Sequence, residues 1–499
     1  MAEKKTLAEL GLTAQGGRQA EVTGLAVDSR GVKRGYLFAA LPGTRVHGGD
    51  FIATALRMGA GAILTDAHGA RLAADALSTS DAALIVAEDP REALAYAAAL
   101  WFGRHPETMV AVTGTNGKTS VATFCRQIWT ELGFEAINVG TTGVEGAWTA
   151  PLSHTTPEPV TLHRVLAGAA AAGVTHAAME ASSHGLAQKR LDGVRIAAAG
   201  FSNLSHEHLD YHASFEAYFA AKARLFANVL PEDGIAVINM DDPKGADMAE
   251  IATGRGHEVI SVGHGAGCDL RLEAQRFEPT GQELRFAWND RVRQSRLGLI
   301  GGFQADNVLL ACGLVIAGGA DPDRVFDTLP RIRTVRGRMA LAATRANGAA
   351  VFVDYAHTSD AIATALQALR PHVMGRLVVL VGAGGDRDRA KRPLMGRAAA
   401  ENADIVIVTD DNPRSEEPAT IRAAVMEGVR QAGGSDRSLD VGDRAEAILR
   451  GVDVLGPGDA LLIAGKGHET GQIVGDDVLP FDDSEQASVA VAALDGGVA

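Results

Sequence analysis

Cysteine is almost absent from this sequence of 499 residues: Cys125, Cys268 and Cys312 stand far apart and in no metal-ligand spacing. A disulfide-stapled scaffold and a cysteine-built metal site are thereby excluded, and the plain expectation is buried free thiols in a reducing compartment. Aromatic residues are also scarce, at 5%, so the core is drawn from Ala, Val, Leu and Ile. Positive charge is in deficit, with 47 Lys and Arg against 61 Asp and Glu and a formal net charge of −14. Binding to DNA or RNA relies on Lys and Arg displacing counterions from phosphates, so no nucleic-acid partner is expected. A local basic pocket for a small phosphate ligand is compatible with the same balance. No stretch approaches the roughly 20 apolar residues of a membrane span, and MAEKKTLAELGLT has no apolar core of signal-peptide length. A cytoplasmic location without membrane contact is expected.

What is present is glycine, 58 residues of it, and a recurring pattern. Short apolar runs, each ending in a glycine or polar cluster and followed by a helix-period segment, begin at Val110: MVAVTG, THAAMEASSH, GIAVINMDD, AVFVDYAH, RLVVLVGAGG, DIVIVTDDNPR and ALLIAGKGH. This is the pattern of βαβ units and parallel sheets, and the polar clusters fall at the carboxyl ends of strands, where such sheets place ligands. The length predicts roughly three domains. The first, residues 1–100, carries VDSRGVKRG and Ala-rich stretches but no phosphate loop. WFGRHPET opens a second domain, 101–333, and RIRTVRGRM marks the passage to a third, 334–499.

AVTGTNGKTS joins a strand to a helix through a glycine-rich turn, Gly114, Thr115, Asn116, Gly117, Lys118, Thr119 and Ser120. Such a turn aims backbone N–H groups and the positive end of a helix dipole at phosphate oxygens. Lys118 is placed to reach the β- and γ-phosphates, and the Thr119 hydroxyl to ligate Mg²⁺. The general phosphate-loop pattern has glycine where Val112 stands. Glu180, at the end of THAAMEASSH, and His208, in FSNLSHEHLDYH, are candidates to complete a Mg²⁺ site. Each also has a plainer reading, Glu180 as a helix cap and His206, His208 and His212 as a surface cluster. Lys222 lies among Ala, Leu and Phe on a predicted helix, where a lysine ordinarily carries its amine to solvent.

Taken together, TGTNGKTS, MEASSHGLAQKR, FSNLSHEHLDYH, AAKARLF, GGFQADNVLLA, VRGRM, VDYAHTSD and DNPR occur in the order found in the Mur ligases, and the chain resembles that family from about residue 110 to 470. The resemblance implies three α/β domains: an N-terminal one for a UDP-linked substrate, a central phosphate-loop ATPase domain and a C-terminal Rossmann-like domain. It implies an ATP-dependent amide-bond ligase using Mg²⁺. Lys118, His208 and Lys222 become catalytic candidates, Lys222 as a carbamylated lysine that helps hold metal alongside Thr119, Glu180 and His208. Carbamylation needs a neutral amine, hence a desolvated one. ATP is expected against the phosphate loop, Asn307, Arg338, Asp354 and His357; Gln304 stands where the family commonly has Asn. The UDP-muramoyl peptide is assigned to Val27, Ser29, Thr44, Arg45, Val46, Thr155, Thr156, Ser182, Gln188 and Arg190. The incoming amino acid is assigned to Arg387, Asp411, Asn412, Pro413, Arg414, Gly465 and Glu469.

DNPR bears on which amino acid that is. Diaminopimelate has a carboxylate at its far end and lysine has none. An arginine on the pocket floor binds that carboxylate through two parallel charge-assisted hydrogen bonds. In lysine-adding relatives the arginine is replaced, so the expected substrates are UDP-N-acetylmuramoyl-L-alanyl-D-glutamate, meso-diaminopimelate and ATP, handled by a monomer. A phosphate-loop motor ATPase and a noncatalytic nucleotide-sugar binder are rivals of other classes. The first leaves DYAH, DNPR and GKGHE without a purpose, and the second has no use for an intact set of Lys118, Thr119, Glu180 and Lys222.

Overall fold

The computed structural model describes residues 4–43, 46–205, 211–335 and 337–496. Two compact units divide the chain, Met1–Arg271 with Asn307–Thr328, and Leu272–Asp306 with Leu329–Ala499.

The first unit holds two parallel sheets. In the smaller, the strands Leu25–Ala26, Leu37–Ala39, Ala62–Thr65 and Ala83–Val86 run side by side in chain order. The helix Pro90–Phe102 packs Leu94, Ala97, Ala98 and Trp101 into its core. Its ends are written locally: Asp89 accepts from the N–H groups of Arg91 and Glu92, Pro90 opens the first turn, and Gly103 closes the last in the left-handed conformation. In the larger sheet the order is Glu258–Gly263, Ile235–Asn239, Ala198–Phe201, Thr108–Thr113, His176–Glu180 and Ala136–Gly140, all parallel, followed by the antiparallel Gly143–Gly146. Thr108–Thr113 therefore lies mid-sheet, and the clusters that follow it and its neighbours share one edge.

Among the helices covering this sheet, Pro159–Ala171 buries His163 at 4% exposure, and no described group meets its Nε2. Burial, with a smaller contribution from the nearby His105, pushes His163 down to about 4. Because the folded value is depressed, the neutral ring is favourable above the unfolded value near 6.5 and that stability is lost as pH falls through 4. The full effect is about 3 kcal/mol. A His163→Leu variant is expected to lose less stability than the parent between pH 7 and 4.5 in urea titrations. Parallel loss in both proteins would contradict this assignment.

The second unit contains a sheet in the order Ala340–Thr344, Ala350–Asp354, Ala460–Ala464, Leu377–Val381, Ile405–Val408 and Ser438–Asp440, parallel except for its first strand. All the apolar runs read from the sequence are strands of the two large sheets. The meander Leu270–Glu278, Gly281–Trp288 and Arg291–Leu297 departs from the expected βαβ pattern. Its signal was available: alternate residues are buried along Gly281–Trp288, and Asn289 and Asp290 sit at φ 46° and 62°, as a two-residue hairpin turn requires.

No helix among the described residues is long and apolar enough to cross a membrane. Cys125 and Cys312 are buried and Cys268 is only half-buried, which corrects the expectation that all three thiols are inside.

Candidate active site

The helix Lys118–Glu131 follows the glycine-rich turn directly, and its N-terminus, at Gly117, has no side-chain cap. Its first N–H groups thus face the turn, while Val121, Phe124, Cys125, Ile128 and Trp129 anchor the opposite side in the core. Lys118 Nζ donates to the carbonyls of Gly114 (2.8 Å) and Thr115 (2.7 Å), folded back over its own loop. A Cβ at Gly117 would stand 2.4 Å from Asn307 Oδ1, so only glycine admits this approach.

The neighbouring strand delivers Glu180, 2% exposed. Thr119 Oγ1 donates to its Oε1 at 2.9 Å, as does the Thr141 N–H at 2.8 Å, and Thr141 Oγ1 donates to Oε2 at 3.3 Å. Burial raises this carboxyl above its ordinary range, against the lowering effect of these bonds and of Lys118. Glu180 does not cap a helix; Ser182 does, accepting from Gly185 N at 3.1 Å. Thr141 Oγ1 shares a hydrogen bond with Thr155 Oγ1 (3.0 Å), and Thr156 Oγ1 donates to Glu180 O (2.8 Å). Arg190 donates to Thr156 O at 2.5 Å and to Gln188 Oε1 at 2.8 Å. Thr155, Thr156, Ser182, Gln188 and Arg190 thus form one network beside Glu180.

Lys222 does not carry its amine to solvent. It is 1% exposed, on the helix Phe215–Arg224, and Nζ donates to Gly114 O at 2.6 Å beneath the phosphate loop, 4.6 Å from the centre of the Tyr218 ring. His212 is buried rather than part of a surface cluster. His208 and His206 lie outside the described residues, as do Thr44 and Arg45. Val27, Ser29 and Val46 belong to the N-terminal sheet region: Ser29 is buried, Val27 half-buried and Val46 exposed. Residues the sequence reading did not single out hold the loop in shape. Ser202 Oγ donates to Asn116 O (2.6 Å), Asn203 Oδ1 accepts from Asn116 N (2.9 Å), and Tyr218 OH meets Thr115 Oγ1 (3.1 Å). For Ser202 and Asn203 the signal was the polar SN ending the strand Ala198–Phe201, beside the phosphate-loop strand.

In the second unit, four adjacent strands end in polar clusters. Asp354 accepts from Met339 N (2.7 Å) and Ala356 N (2.8 Å), and burial raises its carboxyl. Arg338 lies over the Tyr355 ring, 5.5 Å from its centre, and His357 packs against the same ring. Asn412 Nδ2 donates to Glu469 Oε2 (3.0 Å). Pro413 is buried, and Arg414, at φ 53°, donates from Nη1 to Gly385 O (2.8 Å). Asp411 lies against Gly465, and Arg387 is exposed. Below the cluster, Arg444 and Asp483 form an ion pair at 2.7 Å with both side chains fully buried. Arg444 also donates to Asp410 O and Ala464 O, at the ends of two strands. Arg444→Met is expected to lower unfolding free energy by about 3–5 kcal/mol, because Asp483 keeps a buried charge without its partner. The double variant Arg444→Met, Asp483→Leu is expected to recover much of this in chemical denaturation; equal loss in both variants would contradict it.

Fold and site together define a multidomain α/β protein with a phosphate loop on one parallel sheet and a strand-end polar cluster on another. Residues 21–101 match the Mur ligase family catalytic domain, 112–315 the Mur ligase middle domain and 337–467 the Mur ligase glutamate ligase domain. The chain belongs to the Mur ligase family, and is an ATP-dependent amide-bond ligase. It is 49% identical over 476 residues to a UDP-N-acetylmuramoyl-L-alanyl-D-glutamate--2,6-diaminopimelate ligase of Bradyrhizobium diazoefficiens, covering 95% of each chain. It is 47% identical over 481 residues to the ligase of the same name from Caulobacter vibrioides, covering 95% of this chain and 96% of the other. A solved structure of a ligase of that name superposes with a TM-score of 0.76 at 32% identity, covering 99% of both chains.

Proposed function

We propose that the chain joins meso-2,6-diaminopimelate to the D-glutamyl γ-carboxylate of UDP-N-acetylmuramoyl-L-alanyl-D-glutamate, using ATP and passing through an acyl phosphate. The observation that carries the reading is the second cluster. Asn412 hydrogen-bonds Glu469, and Arg414 is tied to Gly385 O, at strand ends in a unit without the phosphate loop, where an enzyme that only hydrolyses ATP has no use for them. The relatives' names and near-complete coverage support it.

In this reading the loop Gly114–Ser120 and the uncapped helix behind it hold the β- and γ-phosphates, with Lys118 leaving its carbonyl partners for the transferred phosphoryl group. Asn307, Arg338, Asp354 and His357 bind the nucleoside part. The muramoyl peptide lies along Thr155, Thr156, Ser182, Gln188 and Arg190, and the uridine part at Val27, Ser29 and the 44–46 loop. The substrate carboxylate attacks the γ-phosphorus and ADP leaves. The diaminopimelate amine, having lost a proton, then attacks the acyl carbon, and phosphate leaves.

The residues present fit Mg²⁺: the Thr119 hydroxyl and the Glu180 carboxylate, 2.9 Å apart, are hard oxygen donors at the end of the loop. When bound, the ion neutralises phosphate charge. His208 and a carbamylated Lys222 are proposed as further ligands, the latter supported by the burial of Lys222 under Gly114. We assign the domains to 1–100, 101–333 and 334–499, and the activity to a cytoplasmic monomer; the free thiols suit a reducing compartment.

The test is ADP release with ATP, Mg²⁺ and the UDP-linked dipeptide, comparing meso-diaminopimelate with L-lysine at equal concentration. Turnover with diaminopimelate alone is expected. Equal turnover with lysine would remove the specificity claim, and acceptor-independent hydrolysis the ligase reading.

A further inference from the structure

Lys466 is fully buried, an unusual place for an ammonium, which is costly to remove from water unless paired. The backbone puts it there. Gly467 sits at φ 56°, where a Cβ would come within 2.7 Å of Tyr355 Cβ, so the chain turns sharply at the end of Ala460–Ala464. Glu469 N then donates back to Lys466 O at 2.9 Å, bringing the Glu469 carboxylate beside the lysine's own side chain. Nζ donates to Asn412 Oδ1 at 3.0 Å and meets Glu469 Oε2 at 3.4 Å.

The consequence for Asn412 is geometric. Its Oδ1 takes two donors, Lys466 Nζ and Ile473 N (2.9 Å), which decides which end of the amide is oxygen and turns Nδ2 toward Glu469 Oε2. The consequence for Glu469 is electrostatic. One carboxylate oxygen is held by Asn412 and Lys466, while Oε1 accepts from no described residue and the side chain is 35% exposed.

We propose that Lys466 is a positioning residue of the amino-acid pocket: buried beneath it, the ammonium sets the orientation of Asn412 and anchors Glu469, so that the free oxygen of Glu469 faces the ammonium of the incoming diamino acid. Lys466 has no exposed surface with which to touch substrate, so it acts through these two side chains. The inference rests on the proposed ligase reading.

The test uses the full-length chain. Lys466→Met keeps length and apolar bulk but removes charge and donors. It is expected to raise KM for diaminopimelate about 10- to 100-fold, while KM for ATP and for the UDP-linked dipeptide stays within about twofold. Lys466→Gln, which retains a donor without charge, is expected to fall between. Unchanged KM for diaminopimelate, an equal rise in all three constants, or loss of the melting transition in both variants overturns the inference. A parent protein that turns over no diaminopimelate overturns instead the ligase reading beneath it.

Discussion

Lys118→Ala is expected to lower the ligation rate at saturating substrates by about 10³-fold, with little change in melting temperature. Phosphoryl transfer leaves little covalent work to the protein, so its rate depends on charge placed along the path of the moving group. In the proposed reading Lys118 supplies that charge from the first turn of the helix behind the loop. Among its hydrogen-bond partners are the Gly114 and Thr115 carbonyls, neutral acceptors that an anionic γ-phosphate outcompetes. The fold does not depend on it: the side chain is half-buried, and alanine is a better helix former than lysine. Acceptor-dependent ADP release and thermal melting measured on one preparation separate the two effects. Near-parental turnover would contradict the assignment.

Arg414→Ala is expected to lower kcat/KM for diaminopimelate by about 10³-fold while changing KM for ATP little, narrowing the preference over lysine. In the proposed reading the arginine takes the far carboxylate of diaminopimelate. Nη1 is tied to Gly385 O at 2.8 Å, while Nε and Nη2 donate to no described residue. The backbone at φ 53° makes no difference to this substitution, since arginine and alanine both carry the Cβ that makes the conformation unfavourable. Arg414→Lys is expected to recover little, because one ammonium cannot reproduce a planar two-bond contact. Competition assays with both amino acids read the ratio directly, and an unaltered ratio would count against Arg414 as the specificity residue.

For the buried strands of the large sheets, local pattern suffices. The runs at MVAVTG, THAAMEASSH, RLVVLVGAGG and ALLIAGKGH were readable as buried parallel strands because apolar length and glycine punctuation are local properties. The meander after Leu270 is hard to see in the sequence because its alternation is diluted by charged residues on the exposed face. Lys222 shows the opposite limit. Its helix is visible in the sequence, but whether a lysine on it reaches water depends on what lies above it. Here that is the Gly114 carbonyl, 108 residues away.

From the linear chain alone came the phosphate loop, the strand-end clusters, the low positive charge and the family, because each is carried by residue type and short spacing. The pairing of Thr119 with Glu180, the bracing of Asn116 by Ser202 and Asn203, and the anchoring of Asn412 and Glu469 by the buried Lys466 came only with the folded molecule. Strand order decides those contacts. Thr108–Thr113 lies between two strands that follow it by about 70 and 90 residues, and no local pattern states which ends will meet at one edge.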